Sequence, residues 1–184
     1  VDHAGHANDP AAILHELLEF DSCLPIATEF IDQNPDTLLI VTTDHGTGGC
    51  QLDGLGSRYN ESGPALDRIG SFKHSFEWLE KNFRKQGKVD PNLIEAAFGF
   101  SPTSQQVKAL EAALVDPTIK YLSNSISSTF RQEFLRASAT GWTSNNHTSE
   151  NVELMAFGPG SDQVSGFVEN REVFEIMTSA LGIA

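Results

Sequence analysis

Apolar residues recur at helical spacing along the first part of the chain. Asp9 followed by Pro10 is typical of a helix start, because aspartate caps the first turn and proline has no backbone N–H to leave unpaired. A long amphipathic helix is therefore predicted from Pro10, and Pro25 inside the pattern is expected to kink it or to split it in two. The apolar positions that define this helix are Leu14, Leu17, Leu18, Leu24, Ala27 and Ile31.

An almost unbroken apolar and β-branched run follows the turn at residues 34–36. Residues 37–42 lack the alternation of a half-exposed strand, so they predict a strand that is buried on both faces. A helix followed by a short turn and such a strand is typical of an αβ unit in a mainly parallel sheet. Functional residues collect at the carboxyl ends of strands in these sheets, and Asp44 and His45 stand just beyond this one.

The middle of the chain predicts helices rather than strands. Residues 51–70 are rich in glycine, serine, asparagine and aspartate, which predicts a loop. Because the helical patterns that follow lie between two αβ pieces, they indicate a helical insertion that packs on the sheet or projects from it. These patterns lie near residues 72–84, 91–98, 103–114 and 121–135.

The end of the chain returns to the alternation of strand and helix. Residues 152–157 predict a strand that stops at Gly158-Pro159-Gly160, and residues 171–181 predict a closing helix. The predicted fold class is therefore α/β, in a single partial domain that spans residues 1–184. Its core pieces are residues 1–50 and 140–184, and its helical and loop insertion is residues 51–139.

The net charge limits what this protein binds. Twelve Lys and Arg residues against 25 Asp and Glu residues give a formal charge of −13, which repels nucleic-acid backbones and anionic membranes. No apolar run approaches the roughly 20 residues that a membrane span needs. An anionic substrate would also be repelled, unless bound cations reverse the local potential. The composition therefore argues against nucleic acid and membrane as partners and is compatible with a site filled by metal ions.

The two cysteines are too few for a disulfide framework. Cys23 lies in a helical pattern, and Cys50 lies in a glycine-rich loop. Two separate free thiols are therefore predicted, and the redox compartment stays open.

Four of the six histidines stand beside carboxylates or strand ends, and these are His3, His6, His45 and His147. Asp2 and His6 offer a hard oxygen and an imidazole four positions apart, a pair that zinc accepts. A catalytic zinc ion needs a third protein ligand, which the fold would have to bring from elsewhere in the chain. A solvated pair near a chain end explains this spacing equally well. The other two histidines lie in helical patterns and are predicted to pack or to face solvent.

Asp44 and His45 form a sharper motif, because they follow a predicted strand and precede a glycine-rich loop. Adjacent residues of a strand face opposite ways, so both side chains reach one ion only if the strand has ended before them. The glycines at positions 46, 48 and 49 indicate that it has. His147 lies in a polar loop before the last strand, and by itself it is more typical of a solvated histidine than of a ligand.

Three motifs taken in order resemble the C-terminal half of alkaline phosphatases. They are Asp2-His3-Ala4-Gly5-His6, then Val41-Thr42-Thr43-Asp44-His45, then His147-Thr148 ahead of Ala156-Phe157-Gly158-Pro159-Gly160. The resemblance implies part of an α/β/α sandwich with a mainly parallel sheet. The helical middle of the chain carries none of these motifs. Some members of the family use this interval for dimer contacts, so a homodimer is an open prediction.

The resemblance also implies the cofactors and their ligands. Asp2, His6 and His147 would bind a first zinc ion, and Asp44 and His45 would bind a second. The serine nucleophile, a phosphate-binding arginine and most ligands of a Mg²⁺ ion are expected in an N-terminal portion of the same protein that this chain lacks. The chain therefore contains no predicted nucleophile, and we expect it to be inactive alone.

The activity that the family implies is hydrolysis of phosphate monoesters through a phosphoserine. One zinc ion would stabilise the leaving oxygen and later activate water, and the other would lower the pKa of the serine hydroxyl. Family members are secreted or periplasmic, so the same localisation is expected here.

Two positions refine this expectation. Many relatives carry a histidine where this chain has Thr47, and that histidine is hydrogen-bonded to the aspartate of the first zinc site. A threonine hydroxyl also donates a hydrogen bond, so we expect altered metal affinity rather than a lost site. His3 stands beside Asp2 and is expected near the phosphate or the third metal, as support for the ligands.

Other interpretations are open at this level. An Asp-His-Gly sequence such as Asp44-His45-Gly46 also suits nucleotide phosphodiesterases and cofactor-independent phosphoglycerate mutases. The context of His147 and the closing Gly158-Pro159-Gly160 favour the monoesterase. A hypothesis of another class is that the chain alone is a non-catalytic fragment that binds metal. It would be non-catalytic because it lacks the nucleophile.

Overall fold

The structure is a computed structural model that describes residues 1–183, apart from the side chain of Ala137. It combines many helices with short strands. The helices are α1 (Asp2–Ala7), α2 (Pro10–Gln33), α3 (Ser62–Asp67), α4 (Phe76–Gln86), α5 (Pro91–Phe98), α6 (Ser104–Val115), α7 (Leu122–Thr129), α8 (Arg131–Ser138) and α9 (Asn170–Ala180). The strands are β1 (Leu39–Thr42), β2 (Gly46–Thr47), β3 (Cys50–Leu52), β4 (Thr140–Trp142), β5 (His147–Thr148) and β6 (Leu154–Phe157). Short 3₁₀ helices span Gly56–Glu61, Arg68–Ser71 and Ser161–Gln163.

The chain divides into two compact units, each built from two stretches of sequence. Unit 1 consists of Val1–Leu17 and Thr47–Thr148. Unit 2 consists of Leu18–Gly46 and the residues from Ser149 onwards. The helix α2 contributes residues to both. The division into core pieces and an insertion that the sequence suggests stays a prediction.

Capping residues start and end the helices of unit 1 near the predicted positions. The Ser75 hydroxyl accepts a hydrogen bond from the backbone N–H of Trp78 at the start of α4. The same helix ends at Gly87, whose φ of 66° lies in the left-handed region that glycine adopts without steric cost. Thr103 and Gln106 form a reciprocal capping box at the start of α6. The predicted helices near 72–84, 91–98 and 103–114 are therefore confirmed as α4, α5 and α6.

Three predictions about elements are wrong in part. Residues 51–70 are not all loop, because α3 and two 3₁₀ helices lie within them and Ala65 of α3 is buried. The single helix expected at 121–135 is two helices, α7 and α8, which Phe130 separates with a non-helical ψ of 13°. Pro25 does not split α2, which runs on from Pro10 to Gln33 because losing one backbone hydrogen bond does not end a long helix.

Phenylalanines of the helical segment form the core of unit 1. Phe72, Phe76, Phe98 and Phe134 surround one another, mostly edge to face. The ring centroids of Phe98 and Phe134 lie 5.0 Å apart at an interplanar angle of 89°, an arrangement that the aromatic quadrupole favours. Burying one such side chain contributes roughly 1.5–3 kcal/mol to folding. Unit 1 is thus stabilised by a core of its own.

The strands pair as short antiparallel ladders. In unit 2, β1 pairs with β6, so that Leu39 lies opposite Phe157 and Thr42 opposite Leu154. In unit 1, β3 pairs antiparallel with β4. The strand β2 pairs with β5 in a third ladder. The ladders of β1 with β6 and of β3 with β4 are antiparallel, so they differ from the mainly parallel sheet that the sequence suggests. Within β1, which was expected to be buried on both faces, only Val41 is buried.

The helix α9 of unit 2 has two apolar faces. Phe174, Met177 and Leu181 recur at spacings of three and four, and they are 64%, 44% and 72% exposed. Ile176 lies on the other side of the helix and is buried. One face of α9 is therefore packed within the described chain, and the other lies open.

Candidate metal centre

The short helix α1 of unit 1 carries two residues of the first candidate metal site. Asp2 and His6 are four residues apart in it, so their side chains lie on one face of the helix. The Oδ1 atom of Asp2 is 3.6 Å from the Nε2 atom of His6. The side chain of Asp2 is 49% exposed and that of His6 is 36% exposed, so both remain accessible to an ion.

A glycine contact lets the loop after β2 approach α1 closely. A Cβ atom added at Gly48 would lie 2.5 Å from the carbonyl oxygen of Gly5, and one added at Gly5 would lie 2.9 Å from the carbonyl oxygen of Thr47. Any larger residue at either position would push the loop away. This approach allows the Thr47 hydroxyl to donate a hydrogen bond of 2.7 Å to Oδ1 of Asp2.

The ring of His6 is held by a reciprocal pair of hydrogen bonds with Asn145. The Nδ1 atom of His6 lies 2.6 Å from the carbonyl oxygen of Asn145, and the amide group of Asn145 donates to the carbonyl oxygen of His6 at 2.8 Å. Because a carbonyl oxygen only accepts, Nδ1 carries the proton and the lone pair of a neutral ring lies on Nε2. The nitrogen that faces Asp2 is therefore the one that is able to bind a metal ion.

His147 on β5 joins this pair from the far end of unit 1. Its ring centroid lies 5.0 Å from that of His6, and a ligand atom of His147 lies within 4.8 Å of one of Asp2. Backbone hydrogen bonds hold the loop before β5 in place, since Thr143 and Ser144 donate to the carbonyl oxygen of Gly48. Unit 1 therefore brings together all three side chains expected at the first metal ion.

The distance between the Asp2 and His6 ligand atoms fits zinc. Ligand atoms at 2.0–2.2 Å from a tetrahedral ion lie roughly 3.3–3.6 Å apart, and the distance of 3.6 Å between Asp2 and His6 falls at this value. A carboxylate and two imidazoles are ligands that zinc prefers. Three protein ligands also leave a fourth position for water or substrate, which is the ligand count of a catalytic rather than a structural zinc site.

The second candidate pair lies in unit 2, beyond the end of β1. The strand ends at Thr42, so Asp44 and His45 follow it as the sequence predicts. The Nε2 atom of His45 lies 3.4 Å from Oδ2 of Asp44, and Nδ1 lies 3.1 Å from the carbonyl oxygen of Gly46. The Thr43 hydroxyl donates to the carbonyl oxygen of His45 at 3.1 Å. Two adjacent residues thus bring one oxygen and one nitrogen within 3.4 Å of each other, a separation that one divalent ion could bridge.

The ring of His3 lies beside Glu77 of α4. Its Nδ1 atom lies 3.5 Å from Oε1 of Glu77, and both side chains are largely exposed. His3, Asp2 and Glu77 line a cavity of about 300 Å³ in unit 1. The expectation that His3 supports a phosphate or a third metal stays a prediction.

Asn145 is the residue of the site that sequence reasoning missed. It lies in the polar loop that contains His147, but asparagine in a polar loop carries no signal of a partner 139 positions away. The carbonyl group that fixes the His6 tautomer belongs to the backbone, so no residue type at position 145 would have indicated it.

The sequence matches a known family along nearly its whole length. The profile of the family described as alkaline phosphatase covers residues 1–183.

The chain belongs to the alkaline phosphatase family.

Individual alkaline phosphatases agree with this membership. The chain is 30% identical to alkaline phosphatase 4 of Bacillus subtilis over 181 residues, which cover 98% of the chain and 37% of that protein. It is 27% identical to the alkaline phosphatase of Schizosaccharomyces pombe over 191 residues, which cover 100% of the chain and 35% of that protein. The chain thus spans little more than a third of the length of these curated relatives.

Solved alkaline phosphatases share the fold. The crystal structure of the Thermus thermophilus enzyme matches with a TM-score of 0.82 and 30% identity, over 100% of the chain and 42% of that structure. The cold-active enzyme of a psychrophilic Shewanella species matches with a TM-score of 0.73 and 27% identity, over 98% of the chain and 43% of that structure. The α/β fold class predicted from the sequence is therefore confirmed.

Within the part of the chain that the structure describes, no helix has both the length and the apolar character that crossing a bilayer requires.

Proposed function

We propose that this chain is the metal-binding part of a zinc-dependent phosphomonoesterase. Asp2, His6 and His147 hold one zinc ion, and Asp44 and His45 hold a second. The observation that carries the proposal is the meeting of one carboxylate and two imidazoles in unit 1, in a chain that belongs to the alkaline phosphatase family. The reaction proposed for the whole protein is hydrolysis of phosphate monoesters.

Zinc ions bound at these sites would act as Lewis acids on ester oxygens and would lower the pKa of bound water. The residues of the chain prepare the sites for this chemistry. Asn145 holds the His6 ring with Nε2 toward Asp2, and Thr47 holds the carboxylate of Asp2 through its hydroxyl. Such supporting hydrogen bonds reduce the freedom of ligands before the metal arrives and raise metal affinity.

The remaining parts of the reaction belong to a longer protein. We propose that the serine that becomes phosphorylated, and most ligands of a Mg²⁺ ion, lie in a portion outside these 184 residues. The short coverage of the relatives supports this, because the chain matches only 37% of the Bacillus enzyme. In the whole protein the strands would be part of a mainly parallel sheet in an α/β/α sandwich.

The open apolar surface of unit 2 supports the same view. Phe174 on α9, Ile26 and Phe30 on α2, and Phe157 on β6 are all large apolar side chains that lie at least 42% exposed. Large apolar side chains that stay open to water often mark a surface that another part of a protein covers. We propose that the rest of the longer protein covers it.

Localisation and assembly follow from the family alone. We propose that the protein acts in the periplasm or after secretion, and that it forms a homodimer. Its partners would then be the phosphate monoester and a second copy, without nucleic acid or membrane.

Cobalt binding tests the metal site without depending on activity. Co²⁺ replaces Zn²⁺ in tetrahedral sites and absorbs visible light there. Titration of the chain with Co²⁺ should therefore produce a visible absorption band that saturates at up to two ions per chain. His147→Ala should remove the ion of unit 1 and leave that of Asp44 and His45. His15→Ala is the matched control, because His15 is an exposed histidine of α2, and it should bind as the unaltered chain does. A chain that binds no Co²⁺ would refute the proposed sites.

The substrate class is tested on the longer protein that contains this chain. Hydrolysis of p-nitrophenyl phosphate should be much faster than hydrolysis of bis-p-nitrophenyl phosphate. Faster cleavage of the diester would favour a phosphodiesterase instead. The 184-residue chain alone, supplied with Zn²⁺, should hydrolyse neither, and turnover by the chain alone would disprove the proposal that the nucleophile lies elsewhere.

A further inference from the structure

A single buried carboxylate connects two helices of unit 1. Asp9 is 1% exposed. Its Oδ1 atom accepts hydrogen bonds from the N–H groups of Ala11 and Ala12, at 3.1 and 2.9 Å. Its Oδ2 atom accepts a hydrogen bond of 2.6 Å from the N–H group of Phe76, the first residue of α4. One side chain therefore caps the first turn of α2 and the first turn of α4 at once.

The backbone of Asp9 is fastened to α1, the helix that carries two of the proposed ligands. Its N–H group donates to the carbonyl oxygen of Ala4 at 3.0 Å, and the N–H group of Asn8 donates to that of Gly5 at 3.0 Å. Asn8 adopts a left-handed φ of 52°, which turns the chain sharply between the two helices. Both acceptors lie between the ligand residues of α1, so a shift of Asp9 would shift the ligands.

The other end of this connection is buried. Phe76 is fully buried in the phenylalanine core of unit 1, where its ring lies 4.9 Å from that of Phe134. Ser75 caps α4 independently, by accepting from Trp78. The carboxylate of Asp9 thus ties the end of α1 to a helix whose first residue is buried in the core of unit 1.

We propose that Asp9 is a positioning residue for the metal site of unit 1, which holds α1 at the orientation where Asp2 and His6 meet His147. The inference rests on the proposed function only in taking these three residues as metal ligands. Asp9 itself does not touch the ion. It acts through α1, in the way that supporting residues in metal sites raise affinity by orienting the ligands.

The test is Co²⁺ affinity, measured from the visible absorption band by competition with a chelator of known affinity. Asp9→Ala removes both caps and should weaken Co²⁺ binding at the site of unit 1 roughly tenfold or more. Asp9→Asn keeps one accepting oxygen but presents an NH₂ group to one of the two helices, so it should have a smaller effect in the same direction. The band should also change shape, because the ligands no longer reach tetrahedral geometry.

Asp90 provides a matched control for the loss of a helix cap. It too precedes a proline at a helix start and accepts from the N–H group of Asn92 at 3.0 Å, but it serves α5 only. Asp90→Ala should therefore destabilise the fold and leave Co²⁺ affinity within twofold. Leu110→Ala, in a fully buried position of α6, controls for a general loss of stability.

The outcomes separate this inference from the proposed function. If the unaltered chain shows no tetrahedral Co²⁺ band, the metal site itself is wrong. If the unaltered chain binds Co²⁺ and Asp9→Asn and Asp9→Ala bind it within twofold, the positioning role is overturned. Equal losses in Asp9→Ala and Leu110→Ala would also overturn it, since any destabilisation would then have the same effect. If Asp9→Ala does not fold, the Co²⁺ affinity of Asp9→Asn, measured from the same absorption band, tests the positioning role.

Discussion

The two units of the chain bury similar residue types to very different extents. In unit 1, Phe76 and Phe83 are fully buried, whereas in unit 2 Phe30 is 56% exposed and Phe174 is 64% exposed. Among the described residues, the buried apolar side chains of unit 2 are Val41 and Ile176, and all the others belong to unit 1. Unit 1 therefore has a buried core of its own, whereas unit 2 leaves large apolar side chains exposed.

The same contrast holds for the two candidate metal sites. The site of unit 1 joins α1 to β5 and is supported by hydrogen bonds from Thr47 and Asn145. The pair in unit 2 consists of adjacent residues, and Asp44 is 84% exposed. A site assembled across a packed unit is sensitive to packing, whereas a pair of neighbours keeps its spacing through the covalent chain.

The largest expected effect compares one phenylalanine from each unit. Phe76→Ala should lower the free energy of unfolding by about 3–5 kcal/mol, because it removes a fully buried ring and leaves a cavity. Phe174→Ala should change it by less than about 0.5 kcal/mol, since surface substitutions of this kind remove few contacts. Urea unfolding followed by circular dichroism measures both. Equal losses in the free energy of unfolding would contradict the difference in burial between the two units.

A smaller effect is expected from the glycine that lies against α1. Gly48→Ala should cost roughly 2–4 kcal/mol, because its φ of 77° is left-handed and the new methyl group would meet the carbonyl oxygen of Gly5. It should also weaken Co²⁺ binding in unit 1 by pushing α1 away. Gly87→Ala is the control, as its φ is 66° and no heavy atom lies within 4 Å, and it should cost about 1 kcal/mol. A cost at Gly48 no greater than that at Gly87 would mean that the close approach does not matter.

The buried carboxylate of unit 1 should give a dependence of stability on pH. Burial raises the pKa of Asp9 from 3.8 to about 6, although hydrogen bonds from Ala12, Phe76 and Ala11 act to lower it. A raised pKa means that the folded protein keeps this proton longer than the unfolded chain does. The contribution of Asp9 to stability is therefore most favourable below pH 3.8 and declines as the pH rises through about 6.

Comparison with Asp9→Asn isolates this contribution, since asparagine does not titrate. The stability of the unaltered chain relative to Asp9→Asn should fall by about 1 kcal/mol between pH 5 and pH 7.5. Urea unfolding at the two pH values measures the difference. A relative stability that rises over this range would show that the hydrogen bonds outweigh burial.

The smallest effect concerns the two thiols, which are both free as the sequence predicts. Cys23 in unit 2 is exposed, whereas Cys50 in unit 1 is half-buried. Burial, followed by the negative charge of Asp53, raises the pKa of the Cys50 thiol. Because the thiolate is the reactive form, iodoacetamide should label Cys23 roughly tenfold faster than Cys50 at pH 8. Mass spectrometry of the modified peptides measures both rates, and faster labelling of Cys50 would contradict the greater openness of unit 2.

Local sequence signals predicted the parts of the structure that depend on neighbours in the chain. The Asp9-Pro10 start of α2, the helix near 103–114 and the end of β1 before Asp44 all rest on residues within a few positions of one another. The sequence left open whether Pro25 kinks α2 or splits it, because the cost of one proline is weighed against contacts along the whole helix.

The sequence by itself determined the ligand types and their spacing at each end of the chain, and these motifs indicated the family before any contact was known. The tertiary structure alone decided that His147 reaches Asp2 and His6, that Asn145 selects the tautomer of His6, and that the carboxylate of Asp9 reaches α4. Those contacts join residues between 67 and 145 positions apart. Residue identity carries little information about such distant partners, because the packing of the whole unit, rather than local propensity, chooses which loops meet.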